Sequence, residues 1–189
     1  MIKLNDILLE IGEGSAKPYK WKVNLGQLNI YGTKIKKYMY EWETDSGLDY
    51  ILELYPLYNH DSDAEKQRDG VSEQGMWTAN FGPYKPGEQL YGIDGKPIGT
   101  PEKDVDYEIE TNKGDLFNIM ATIVDAMKDF IKQAKKTDWG VDIIRYEGAK
   151  AEGAKSNQRN KLYAAYIKRN LPGATIKKVW NDQMEIHIK

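Results

Sequence analysis

Two stretches of the chain place apolar side chains at every second position, and a third repeats its apolar residues at helical spacing. Tyr38, Tyr40 and Trp42 alternate with Lys37, Met39, Glu41 and Glu43; after Asp45-Ser46-Gly47, Tyr50, Leu52 and Leu54 run back. A period of two puts one set of side chains on a single sheet face, so this pattern predicts a β-hairpin. Leu116, Ile119/Met120, Ile123/Val124, Met127 and Phe130/Ile131 follow the helical period instead and predict a long amphipathic helix. Asn112, with Asp115 three residues on, has the form of a capping box, and Lys132, Lys135 and Lys136 sit where a helix dipole favours cations.

Elsewhere the pattern is shorter. Asn5-Asp6 can cap a small helix carrying Ile7, Leu8 and Ile11, broken by Gly12, Gly14 and Pro18. Tyr19, Trp21 and Val23 alternate with Lys20 and Lys22, and Met76 to Phe81 also reads as a strand. Val105, Tyr107 and Ile109 give another strand, and Val141, Ile143 and Ile144 a short one. Ser156 can cap a second helix with Leu162, Tyr163, Tyr166 and Ile167 facing inward, stopped by Pro172-Gly173. Ile176–Trp180 and Met184–Ile188 close the chain as a hairpin across Asn181-Asp182.

Residues 56–75 are polar, and 82–101 are dense in Gly and Pro, with room for a small hairpin at Asp94-Gly95. A loop of that length suits a lid, a binding loop or a mobile insertion. No internal repeat is present. The order predicts one α+β domain over 1–189, with an antiparallel or mixed central sheet flanked by two main helices. An antiparallel meander occupies 35–110, with loops at 56–75 and 82–101, and helix, strand, helix and hairpin follow over 111–189.

Composition narrows the chemistry. The 189 residues include no cysteine, which excludes disulfides, thiol catalysis and Cys-ligated zinc. His60 and His187 are the two histidines, too few for a multi-histidine metal site in one subunit. Read as a calcium loop from Asp61, the chain has Lys66 where the sharp-turn Gly belongs and Ser72 where the bidentate Glu belongs. No metal is therefore expected. His187 alternates with Glu185 and Lys189, which predicts a surface position on a polar strand face. No apolar run approaches the roughly 20 residues of a membrane-spanning helix, so no membrane partner is expected. The N-terminus has an early acidic residue and no small-residue cleavage site, so a signal peptide is not expected either.

Charge is uneven. Residues 41–110 hold 17 acidic and 5 basic side chains, whereas 140–189 hold 10 basic and 5 acidic ones. Such asymmetry can present opposite-sign faces to a protein partner, or simply solvated strand faces. Lys34, Lys36, Lys37 and Tyr38, with Arg159, Lys161, Lys168 and Arg169, are available to nucleic acid, but a pI near 5.8 argues against that class of partner.

The candidate ligand-binding corner is Thr111-Asn112-Lys113-Gly114-Asp115. Free N–H groups at a helix start, a glycine for close approach and a lysine can hold phosphate or carboxylate, although Asp115 adds a negative charge to that turn. From Tyr38 to Lys189 the order of meander, strand, helix, strand, helix and closing strands resembles the GCN5-related N-acetyltransferase fold. In that family this corner cradles the coenzyme A pyrophosphate on a Gln/Arg-x-x-Gly-x-Gly/Ala signature; here Asn112-Lys113-Gly114-Asp115-Leu116-Phe117 supplies one glycine. The family's later helix often carries Asn-x-x-Ala-x-x-Leu-Tyr; here Ser156 and Arg159 stand in the Asn and Ala places, and Leu162-Tyr163 match. The resemblance implies coenzyme A as ligand, held by Thr111, Asn112, Lys113, Gly114 and Arg159. It implies Tyr163 as general acid for the leaving thiolate, a position that equally suits a core tyrosine. Glu108 or Glu110, on the preceding strand, is the candidate general base.

The chain also resembles small proteins encoded by tailed phages, through Lys3-Leu4-x-Asp6-Ile7-Leu8-x-Glu10, Asn112-Lys113-Gly114-x-x-Phe117-x-x-Met120-Ala121-Thr122 and Arg159-x-Lys161-Leu162-Tyr163. That resemblance implies a phage origin, and with it the host cytoplasm or the virion as location. Two readings follow. The first is a non-catalytic phage accessory or virion-associated protein, with no cofactor, acting through a phage or host protein partner. The alternative is a divergent acetyltransferase-like enzyme or coenzyme A-binding protein.

Overall fold

The computed structural model describes residues 16–30, 33–56, 75–86, 103–105, 115–138, 140–147, 158–178 and 183–189. In chain order they form β1 (Lys22–Ile30), β2 (Thr33–Glu43), β3 (Asp49–Pro56), β4 (Met76–Pro86) and β5 (Lys103–Val105). Then come α1 (Leu116–Ala134), β6 (Ile143–Glu147), α2 (Gln158–Asn170), β7 (Thr175–Lys178) and β8 (Gln183–His187). Seven strands make one sheet in the order β1-β2-β3-β4-β6-β8-β7, with β5 pairing against β4. Every pair is antiparallel but one: β4 and β6 run parallel. The architecture is mixed α+β, as the residue pattern implies.

Register sorts the side chains into two faces. Tyr38, Tyr40 and Trp42 lie opposite Leu54, Leu52 and Tyr50, and these continue across β4 to Ala79, Phe81 and Pro83. Trp77 and Ala79 then meet Ile144 and Tyr146, which meet Ile186 and Met184. This is the core face, and Tyr40, Leu52, Leu54, Ala79, Ile144 and Ile186 have no exposure at all. Both helices cover it. Phe130 of α1 sets its ring edge-on to Tyr38 (5.2 Å) and Trp77 (4.7 Å), and Tyr163 of α2 does the same to Phe81 (5.0 Å). Such tilted aromatic pairs add roughly 0.5–1.5 kcal/mol each beyond the area they bury.

A ladder of hydrogen bonds fixes α1 to the start of the meander. The Lys17 and Tyr19 backbone N–H groups donate to Asn118 Oδ1 and Thr122 Oγ1, and Trp21 Nε1 donates to Asp125. Tyr40 Oη donates to Asp129 at 2.9 Å. The acceptors recur every three or four residues, one stripe of the helix. Tyr19 and Trp21, which alternation assigns to a strand, thus lie ahead of β1 and against α1.

Other boundaries also differ from the pattern. β4 continues through Gly82 and Pro83 to Pro86, because register with β3 holds to Pro83 and β5 then pairs with Tyr84 to Pro86. β5 is a strand at Lys103–Val105. Asp115 is the N-cap of α1 rather than its third residue, and its side chain makes no capping bond. The capping box expected from Asn112 and Asp115 is therefore displaced. The small helix over 5–11, residues 57–74, the Asp94-Gly95 hairpin, Tyr107 and Ile109 lie outside the described residues.

Candidate functional site

The parallel seam is short. It opens at Gly75, whose carbonyl accepts from the N–H groups of Asp142 (2.8 Å) and Ile143 (3.0 Å). Gly75 has φ +83, and a Cβ there would collide with the Asp142 carboxylate, so the position requires glycine. Among the described residues, pairing runs from Met76–Ile143 to Ala79–Tyr146; β6 is described one residue further, to Glu147, and β4 for seven more. From Asn80 to Pro83, β4 keeps β3 on one edge, and no described strand pairs with its other edge. Parting strands leave backbone N–H and C=O groups that need partners. The carboxyl ends of parallel strands are where open α/β sheets bind ligands.

The two faces carry different groups at this parting. On the core face stand Phe81, Tyr146 and Tyr163, with Phe81 tilted against Tyr146 at 6.1 Å. Tyr146 is 1% exposed, and its hydroxyl has no hydrogen-bond partner among the described residues. Burial, and then the neighbouring Tyr163 phenol, push that hydroxyl well above the ordinary tyrosine range. It stays protonated and available as a donor. On the other face Asn80 Nδ2 donates to Tyr55 Oη at 3.1 Å. Burial raises the Tyr55 hydroxyl as well, more than the Asn80 bond lowers it.

Further along that second face several polar groups are paired, although Thr78 Oγ1 is buried with no partner among the described residues. Arg145 donates from Nη2 (2.8 Å) and Nε (3.3 Å) to Glu185 Oε1, and His187 Nε2 lies 3.1 Å from Glu185 Oε2. His187 is on the polar face, as alternation implies, though bonded and only 24% exposed in its side chain. Lys37 and Glu53 form an ion pair at 2.5 Å, and Asn24 donates to the buried Glu41. No group of three or more His, Cys, Asp or Glu among the described residues is arranged to hold a metal.

Of the residues singled out from sequence, Tyr163 reaches the parting. Arg159 lies in the first turn of α2, where the backbone alone is described. Glu108, Glu110, Thr111, Asn112, Lys113 and Gly114 lie outside the described residues. Asp115 places its own carboxylate at the positive end of α1, where any phosphate would have to share the dipole with it. Sequence reasoning missed Tyr146. The signal was available, because Ile144 and Tyr146 alternate with Ile143 and Arg145, but grouping Val141 with Ile143 and Ile144 conceals that phase. No known protein-family model, curated protein or solved structure matches the chain.

Proposed function

We propose that this chain is a divergent acetyltransferase-like protein that binds an acyl-coenzyme A where β4 and β6 part. The observation that carries the reading is the strand order with its lone parallel pair, described over four residue pairs. α1 and α2 both lie on one face beside that pair. The residues at the parting fit the thioester and pantetheine end of such a ligand. Phe81 offers an apolar surface, and the rings of Tyr146 and Tyr163 pack against it. The pyrophosphate end would rest on Asn112, Lys113 and Gly114, with the free N–H groups of α1 beneath it. Tyr163 would give its phenolic proton to the leaving thiolate, with Glu108 or Glu110 taking the proton of the attacking amine.

Calorimetric titration of the purified chain with acetyl-coenzyme A and free coenzyme A tests this. Saturable binding that Lys113→Glu abolishes is the expected result. No heat of binding at millimolar ligand, with the protein folded, would overturn it.

A second reading is favoured by the edge of the sheet. β1 is nine residues long, no described strand pairs with its outer edge, and its Leu25 is 63% exposed. An open edge with an exposed apolar side chain favours association. It supports a non-catalytic phage accessory or virion-associated protein that works by contact with another protein. Mass spectrometry of purified virions, with a Leu25→Lys chain supplied in place of the native one, tests it. Equal incorporation of both chains, or of neither, would remove this reading.

A further inference from the structure

Tyr146 is buried as deeply as the residues of the aromatic core, yet its hydroxyl has no hydrogen-bond partner among the described residues. A buried hydroxyl without a partner loses its bonds to water and gains nothing in return, so native structures seldom keep one without a use. Other buried aromatic donors are spent within the protein: Tyr40 Oη donates to Asp129, Trp77 Nε1 to the Gly140 carbonyl and Trp21 Nε1 to Asp125, whereas Trp42 Nε1 and Thr78 Oγ1 share the unpartnered state of Tyr146 among the described residues. Tyr146 occupies the last paired position of β6, opposite Ala79, where the parallel seam ends. Ala79 is the small neighbour of the phenol ring in that row, and the Phe81 ring packs against both Tyr146 and Tyr163.

We propose that the Tyr146 hydroxyl is a ligand-binding donor, placed at the end of the β4–β6 seam to take a neutral carbonyl oxygen of an acyl-pantetheine group. The inference rests on the coenzyme-binding reading above and names a residue and a bond within it. The carbonyl is neutral because the surroundings are: Ala79, Phe81 and Met184 bring no charge to this row. An anion there would face desolvation with no cation beside it. Phe81 and Tyr163 are the partly buried members of the group, so a ligand arriving from outside meets them first and Tyr146 behind them. The carbonyl belongs either to the acyl thioester or to the amides of the pantetheine arm, and the two sources separate by experiment.

The test compares Tyr146→Phe with the native chain, by thermal unfolding without ligand and by calorimetry with acetyl-coenzyme A and free coenzyme A. The exchange keeps the ring and its packing and removes one unpartnered oxygen. The unliganded Tm is therefore expected to stay level or rise, while affinity for acetyl-coenzyme A falls about tenfold. A loss confined to acetyl-coenzyme A assigns the bond to the thioester carbonyl; an equal loss for both ligands assigns it to a pantetheine amide. Unchanged affinity in Tyr146→Phe overturns the inference and leaves the coenzyme-binding reading standing. A fall of several degrees in the unliganded Tm overturns it too, whatever the affinity does, because the hydroxyl then has a partner within the protein. If the native chain binds neither ligand, the coenzyme-binding reading fails and this inference with it.

Discussion

Tyr40 on β2 and Tyr146 on β6 point from the same face of one sheet, with β3 and β4 between them, and both are essentially unexposed. At Tyr40 the hydroxyl donates to Asp129, which also accepts from Gln133 one turn on, and the Trp21 ring closes edge-on at 5.0 Å. At Tyr146 the hydroxyl donates to nothing described, and the strand beside it ends its pairing there. Burial is equal; satisfaction is not. The first tyrosine ties β2 to α1 and belongs to the fold. The second holds a polar group at a place where the sheet itself is incomplete. A buried residue is thus read as structural or functional by where its polar atom goes, and its exposure does not decide the matter.

The comparison can be broken most severely on the covered face. Phe130 touches both Tyr38 and Trp77, so Phe130→Ala removes the contact that seats α1 on the sheet. A loss of about 3–5 kcal/mol is expected, measured by chemical denaturation. Next is the seam. Gly75→Ala puts a Cβ into the Asp142 carboxylate at a left-handed backbone position and should cost about 2 kcal/mol or more. For a chain of this length that is a Tm lower by about 4–8 °C. A neutral Gly75→Ala would mean that the seam opens differently from the geometry described. Tyr40→Phe then sharpens the contrast directly. It keeps the edge contact with Trp21 and deletes the bond to Asp129, for about 1–2 kcal/mol. If Tyr40→Phe is as harmless as Tyr146→Phe, the two tyrosines do not differ in the way proposed.

How much of this was legible depended on range along the chain. The β2–β3 hairpin and α1 are local: Tyr38 to Leu54 alternate around one turn, and Leu116 to Ile131 repeat on one helix, so periodicity sufficed. Leu171-Pro172-Gly173 ends α2 as expected, with Gly173 at φ +78. β1 was misplaced because Asn24, Gly26, Gln27 and Asn29 are poor strand formers, and only pairing with β2 overrides that preference. The β4–β6 seam joins residues more than sixty positions apart, and nothing in either segment announces a parallel partner. The candidate site sits on that seam. Tyr163 was found through a resemblance, whereas Tyr146 became visible only when the register put it beside Ala79 at the end of the pairing.

The smallest expected effect lies on the opposite face, directly behind Tyr146. Burial alone would raise the Glu185 carboxyl, but the hydrogen bonds and charges of Arg145 and His187 together outweigh it and hold it below its ordinary value of 4.5. A carboxylate held lower in the folded chain than in the unfolded one stabilises the fold above the unfolded value, and that stabilisation disappears as pH falls through the folded value. Arg145→Met should therefore be less stable than the native chain at neutral pH, by about 1 kcal/mol for a pair this near the surface. The gap should close as the pH falls from 4.5 through the lower value that Glu185 has in the folded native chain, below which both chains protonate it. Thermal unfolding from pH 7 downward reads this, and a gap that persists into acid would mean that packing of the arginine stem, not its charge, holds the strand pair. Arg145 and Tyr146 are neighbours in sequence on opposite faces of the sheet, so the same variant also probes their separation. If the faces are independent, Arg145→Met leaves acetyl-coenzyme A affinity untouched while Tyr146→Phe lowers it. A joint loss would place the ligand so that it reaches both faces at the end of the described β4–β6 pairing.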